Sequence, residues 1–135
     1  LKGKNKKINI KLELSRGEEA IEAAEMLFEK NLFPDAVSRV YYAVFHHLKA
    51  ILFTIGHEPR SHEGALHLFN IHFLKTGEFP PKYGKVLKRI KKHREESDYK
   101  ATVIFTKENT QGDLREMRQF CREIKDFLIK NNYLK

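Results

Sequence analysis

From Ala20 onward the apolar residues recur at steps of three and four. Ala20, Ile21, Ala24, Leu27 and Phe28 form one stripe that fades near Asn31, and that period predicts an amphipathic helix. Ser15 and Glu18 stand at the Ser-x-x-Glu spacing of a capping box. There a hydroxyl and a carboxylate satisfy orphan amides of a first turn, so the helix is expected to start at that point. Upstream, Leu1 to Leu12 mix Lys, Asn and Gly with isolated Ile and show no sustained period. Residues 1–13 therefore read as a basic, flexible N-terminal arm, and residues 14–135 as one domain.

Phe33-Pro34-Asp35 opens a second helix, since proline is well tolerated in a first turn. Val37, Val40, Tyr41, Val44, Phe45, Leu48, Ile51 and Leu52 give it a broad apolar face, and Gly56 ends it. Ser61 can cap a third, shorter helix that runs to about Leu74, with Gly77 closing it before Pro80-Pro81. A fourth follows Pro81 with Val86, Leu87 and Ile90 inward, its register weakening after Arg94. Ala101 to Phe105 is short and β-branched, but no partner strand exists for it, so it reads as an extended connector. Thr106 caps the last helix, whose stripe is Leu114, Met117, Cys121, Ile124, Phe127 and Leu128. Four long helices and one shorter one, without strand alternation, predict an all-α up-and-down bundle.

At 135 residues with 41% hydrophobic and 33% charged positions, the chain supports one core. No run is long and apolar enough for a bilayer span, and the first residues lack the apolar stretch of a signal peptide, so a cytoplasmic protein with no membrane partner is expected. One cysteine, Cys121, excludes an internal disulfide and lies on an apolar stripe, where a small buried hydrophobe is expected. The net charge of +8 favours an anionic partner such as RNA or a nucleotide. Residues 1–11 supply five lysines and no acid, leaving 21 basic to 18 acidic residues beyond them, so the body is only mildly basic.

The chemistry concentrates in the second helix. Arg39, Tyr42 and His46 stand at i, i+3 and i+7 and share one face over about 10 Å. An arginine can clamp a phosphate, a histidine can move protons near neutral pH, and a tyrosine can stack on a base or donate a hydrogen bond. The alternative is structural: Arg39 salt-bridged to an acid and His46 a hydrogen-bonded core group. Arg94 and Asp98 form an i, i+4 pair, with Tyr99 turning the chain at the helix end. Lys85, Lys88, Arg89 and Lys92 could track a phosphate backbone or merely face solvent. The seven histidines lack metal-ligand spacing: His62 and His67, like His67 and His72, are five apart, and His46 and His47 diverge. No metal or other cofactor is expected. Ser61-His62 has no oxyanion-hole motif, so Ser61 reads as a cap, and no phosphate-binding glycine loop occurs.

The run Ala36-Val37-Ser38-Arg39-Val40-Tyr41-Tyr42-Ala43-Val44-Phe45-His46, followed by Ser61-His62-Glu63-Gly64, Phe73, Gly77 and Arg94 leading to Ser97-Asp98-Tyr99, resembles the HEPN family. The likeness covers roughly residues 15–130 and is nearest to small stand-alone prokaryotic members with a Tyr-Tyr-Ala-x-Phe-His core. It implies a helical bundle, commonly dimeric and often encoded beside a minimal nucleotidyltransferase, with many members acting as metal-independent ribonucleases of toxin or defence type. By this resemblance Arg39 and His46, with six residues between them, are the catalytic pair in a dimer cleft. Tyr42, Arg94, Asp98, Tyr99, Lys85 and Lys92 would then bind substrate. Toxin members carry a tyrosine two residues after the histidine that the partner can adenylylate, whereas here His47-Leu48 follows His46. The rival expectation is a non-catalytic subunit that binds nucleotide or substrate for a nucleotidyltransferase, and a third is a structural adaptor.

Overall fold

The apolar stripe that starts the sequence argument extends further upstream than Ala20. In the computed structural model, which describes residues 3–135, helix α1 runs from Gly3 to Glu29 and buries Ile10, Leu14, Gly17, Ala20 and Ala24 at helical spacing. The expected arm is thus helical from Gly3 and enters the core at Ile10, while Leu1 and Lys2 lie outside the described residues. Ser15 is exposed in mid-helix and caps nothing. The reason is Gly17, which holds a buried stripe position without contributing hydrophobicity. A Cβ there would stand 2.6 Å from Cε1 and Nδ1 of His47.

Asn31, at φ 62°, turns the chain between α1 and α2 (Phe33–Thr54), with Pro34 in the first turn of the second helix. The short connection makes the two antiparallel. Phe28 meets Phe33 at 5.7 Å, Gly17 meets His47, Glu13 meets Lys49, and Lys6 donates to the Thr54 carbonyl at 3.3 Å. Gly56, at φ 81°, lets the chain leave α2.

Ser61 accepts from the Gly64 amide at 2.9 Å and opens α3 (His62–Phe69), which continues as a π-helical turn through Asn70–Leu74. Gly77, at φ 82°, ends this segment. Helix α4 (Tyr83–Tyr99) is regular well past Arg94, because Arg94 follows Ile90 by four residues and prolongs the inward stripe with a charged group. Residues 101–105 form the connector, with Phe105 buried and Ile104 exposed. Thr106 accepts from the Asn109 amide at 3.1 Å and opens α5 (Lys107–Lys130).

Five helices and no strand are present among the described residues, in a helical bundle. Helix α5 packs along α1 and α2, tied to α1 by Lys125–Glu18 and Arg118–Glu25, each at 3.1 Å. Phe69, Phe73, Phe79 and Phe120, with Phe127 beside them, fill the end of the core near Gly77. Cys121 is buried there, and burial raises its thiol pKa well above the usual value, so it packs as a hydrophobe. No described helix is long and apolar enough to cross a membrane.

Candidate functional site

Helix α2 buries most of its residues among α1, α3, α4 and α5 and leaves one partly exposed side, which carries Ser38, Arg39, Tyr42, Phe45, His46 and Lys49. Arg39, Tyr42 and His46 lie along this side and line a surface depression of about 280 Å³, closed by Arg16, Glu19, Ala20 and Ala23 of α1. The three residues expected to share a face do so, and they open onto one concavity. Arg39 is exposed and makes no ion pair among the described residues, so the structural reading of Arg39 finds no support.

His46 is partly buried and oriented by α1. Its Nδ1 lies 3.0 Å from Glu13 Oε2, and an ionised carboxylate can only accept, so Nδ1 carries the proton and Nε2 remains for other work. Burial alone would raise the Glu13 carboxyl. The hydrogen bond from His46 and the Lys49 ammonium 3.3 Å away outweigh burial and hold it below the ordinary carboxylate value. Neighbouring His47 is buried and donates from Nδ1 to the Ala43 carbonyl at 2.7 Å. Burial lowers its basicity and keeps it neutral, so it is a core group facing Gly17.

Arg94 of α4 donates to the Tyr42 hydroxyl at 3.2 Å, with its guanidinium carbon 5.1 Å from the Tyr41 ring centre and 5.6 Å from that of Tyr42. Its Nε is 3.2 Å from Asp98 Oδ2, but the N–H is not aimed at the carboxylate. That pair is coulombic, and Nε has no hydrogen-bond partner among the described residues. The bond to Tyr42 favours the charged form of Arg94, and burial pushes the Tyr41 phenol far above its usual range. His62, at the start of α3, packs on the same aromatic face, 4.2 Å from Phe45, 4.9 Å from Tyr41 and 6.4 Å from Tyr42 between ring centres.

The other expected residues lie apart. Tyr99 is 76% exposed at the end of α4 and, with Lys92, borders a separate depression of about 260 Å³. Lys92 also edges a larger groove of about 520 Å³ between α3 and α4, floored by Leu66, Phe69 and Leu87. Lys85 is exposed seven residues before Lys92, on the side of α4 turned away from Arg94. Arg89 turns to α5, where buried Asp113 accepts from its Nε at 3.2 Å and from His93 Nδ1 at 2.6 Å, which clamps α4 to α5. His57 and His72 approach to 5.1 Å between ring centres, a pairing hidden in their spacing. Among the described residues no cluster of three or more ligating side chains forms.

Sequence reasoning misses Glu13, because it falls in the presumed arm, and the packing of His62 on Phe45, because the spacing within the chain points only to a metal ligand or a Ser61–His62 pair.

The sequence pattern of the HEPN domain matches residues 10–132. The chain belongs to the HEPN domain family. The match begins at Ile10, the first buried residue of α1, in agreement with the helix found there. Among HEPN relatives, the protein named "Putative toxin MJ0142" from Methanocaldococcus jannaschii is 33% identical over 122 residues, covering 90% of this chain and 83% of that one. "Putative toxin MJ0605" from the same organism is 36% identical over 111 residues, covering 82% of each chain. A UPF0332 protein of Thermotoga maritima is 33% identical over 113 residues, covering 84% of this chain and 86% of its own.

Proposed function

We propose that this HEPN protein is a toxin-type, metal-independent ribonuclease whose working groups are Arg39 and His46. The observation that carries the reading is that Arg39, Tyr42 and His46 open onto one depression, with Glu13 fixing His46 so that Nε2 stays available. In this mechanism His46 moves a proton at the scissile phosphate, Arg39 stabilises the charge that builds on phosphorus, and Tyr42 positions the nucleotide. Arg94 and Asp98 support Tyr42, while Lys85, Lys92 and Tyr99 give outlying contacts to the RNA backbone. The two relatives named as toxins support the biological class.

A homodimer in which two such depressions face each other supplies a cleft for a strand, and a minimal nucleotidyltransferase is the proposed partner. Control by tyrosine adenylylation at the usual place is not part of this reading, because His47 and Leu48 fill those positions and both are buried. The second reading, a nucleotide- or substrate-binding subunit without turnover, uses the same depression.

The test is incubation of purified protein with total RNA in EDTA, comparing wild type with Arg39→Ala and His46→Ala at matched helicity. Cleavage lost in both variants is expected. RNA bound but left intact by wild type would favour the binding subunit.

A further inference from the structure

The depression beside His46 has two walls. Helix α2 gives one, with Arg39 and Tyr42, and α1 gives the other, with Arg16, Glu19, Ala20 and Ala23. We propose that Arg16 is a substrate-binding residue that holds the phosphodiester next to the scissile one on a single-stranded RNA. This rests on the ribonuclease reading above and deepens it, because the site then takes a strand with two consecutive phosphates rather than an isolated linkage.

Placement follows from the way α1 lies on α2. Arg39 and His46 stand seven residues apart, about 10 Å along the helix axis, and in that reading the scissile phosphate lies between them. Gly17 packs against His46 and His47, where an added Cβ would come within 3.4 Å of the His46 Cβ. Its neighbour Arg16 is therefore level with His46, at the end of the depression away from Arg39. Arg16 follows Glu13 by three residues, so the side of α1 that orients His46 also carries this guanidinium. The small side chains of Ala20 and Ala23 continue the wall and leave a strand room between the two arginines.

The charges fit the same ligand. Arg16 is exposed and makes no ion pair among the described residues, although Glu19 follows it at the i, i+3 spacing. Other charges of α1 are engaged: Glu13 by His46 and Lys49, Glu18 by Lys125, and Glu25 by Arg118. Lys49, the other cation beside His46, is held 3.3 Å from Glu13 and does not line the depression. Arg16 and Arg39 against the one carboxylate of Glu19 leave the depression positively charged. An uncommitted guanidinium holds two oxygens of one phosphate at once through its paired N–H donors. In the proposed homodimer each facing depression brings its own Arg16, so the contact needs no residue beyond those of the cleft.

Arg16→Gln should keep the helicity of the wild type, and two measurements in EDTA compare these proteins. The first is binding of a fluorescent, uncleavable 2′-O-methyl RNA from about 50 to 200 mM salt. Loss of one phosphate contact lowers the slope of log affinity on log salt by about 0.7 for a single strand, and Arg16→Gln is expected to show that drop. Its affinity should fall by about 10-fold. The second is cleavage of a defined RNA in which an uncharged methylphosphonate replaces, in turn, each linkage flanking the cleaved bond. Neutralising a linkage that Arg16 holds is expected to slow wild type by about 10-fold and to slow Arg16→Gln no further. Equal affinity and salt slope in the two proteins would overturn the role of Arg16, and cleavage by wild type would leave the ribonuclease reading standing. Equal sensitivity of both proteins to every flanking replacement would overturn that role as well. Wild type that binds RNA with the expected dependence on Arg16 but cleaves none would overturn the ribonuclease reading and leave Arg16 as a binding residue.

Discussion

The Tyr42 hydroxyl accepts a hydrogen bond from Arg94 at 3.2 Å, although 52 residues separate them and each stands on a different helix. This contact joins the α2 stripe to α4 and sets Arg94 behind Tyr42, which lines the depression with His46. Its guanidinium also lies over the rings of Tyr41 and Tyr42, a geometry for which lysine has neither the planar face nor the fork. Tyr42→Phe, which deletes only the hydroxyl, should cost about 0.5–1.5 kcal/mol in urea unfolding. Arg94→Lys should lower RNA cleavage by about 10-fold or more while far-UV circular dichroism is unchanged. Cleavage by Arg94→Lys at the wild-type rate would remove Arg94 from the site.

Gly17 is a packing requirement of His47 rather than a weak point in α1. Alanine in a helix interior is favoured over glycine by about 1 kcal/mol, yet the added methyl would meet a buried ring held by the Ala43 carbonyl. Gly17→Ala should therefore destabilise the protein, by about 1–2 kcal/mol, the overpacking outweighing the propensity gain. In a His47→Ala background the same change should be neutral or stabilising. A double-mutant cycle in urea without coupling would refute the account of α1–α2 packing.

Asp113 is the buried acid of the α4–α5 clamp, and removing its charge leaves Arg89 and His93 facing a void or an amide. Breaking a buried ion pair costs about 3–5 kcal/mol, but Arg89 is 44% exposed and solvent moderates the loss. Asp113→Ala should cost about 2–3 kcal/mol and His93→Ala less. Thermal unfolding of the two variants gives the order, and the reverse order would contradict the clamp.

Stability should fall on acidification in two stages. His47 and His62 have folded-state pKa values lowered from 6.5 by burial, so below that pH the unfolded chain takes up protons that the folded chain refuses. Their contribution is full above about 6.5 and declines below it, with a slope of up to about 1.4 kcal/mol per pH unit for each ring. Glu13 has a folded-state pKa lowered from 4.5, so its contribution is full above that value and is lost as pH falls below it. Urea unfolding from pH 2 to 8 measures this, and Glu13→Gln should flatten the lower stage only.

The helices of this bundle were legible where hydrophobic period and punctuation agree. Ser61 and Thr106 cap as their positions suggest, Gly56 and Gly77 take positive φ, and residues 101–105 form a connector without a strand partner, although Ala101 and Thr102 make a turn closed by the Val103 amide on the Lys100 carbonyl instead of running extended. The first thirteen residues were not legible, because lysines and asparagines cover the exposed sides and a glycine interrupts the buried stripe. Ile10, Leu14 and Gly17 do continue the period once glycine is counted as a contact residue. The line of Arg39, Tyr42 and His46 follows from helical spacing alone. The parts that reach it from elsewhere, Glu13 over 33 residues and Arg94 over 52, depend on how helices pair, which no local pattern encodes.

The most direct measurement is the identity of the termini made from a defined single-stranded RNA in EDTA, with its 2′-O-methyl counterpart as control. The account predicts 2′,3′-cyclic phosphate and 5′-hydroxyl ends from the ribose strand, none from the methylated strand, and none with His46→Ala of matched helicity. An intact ribose strand with wild-type protein, or the same ends from His46→Ala, would contradict it.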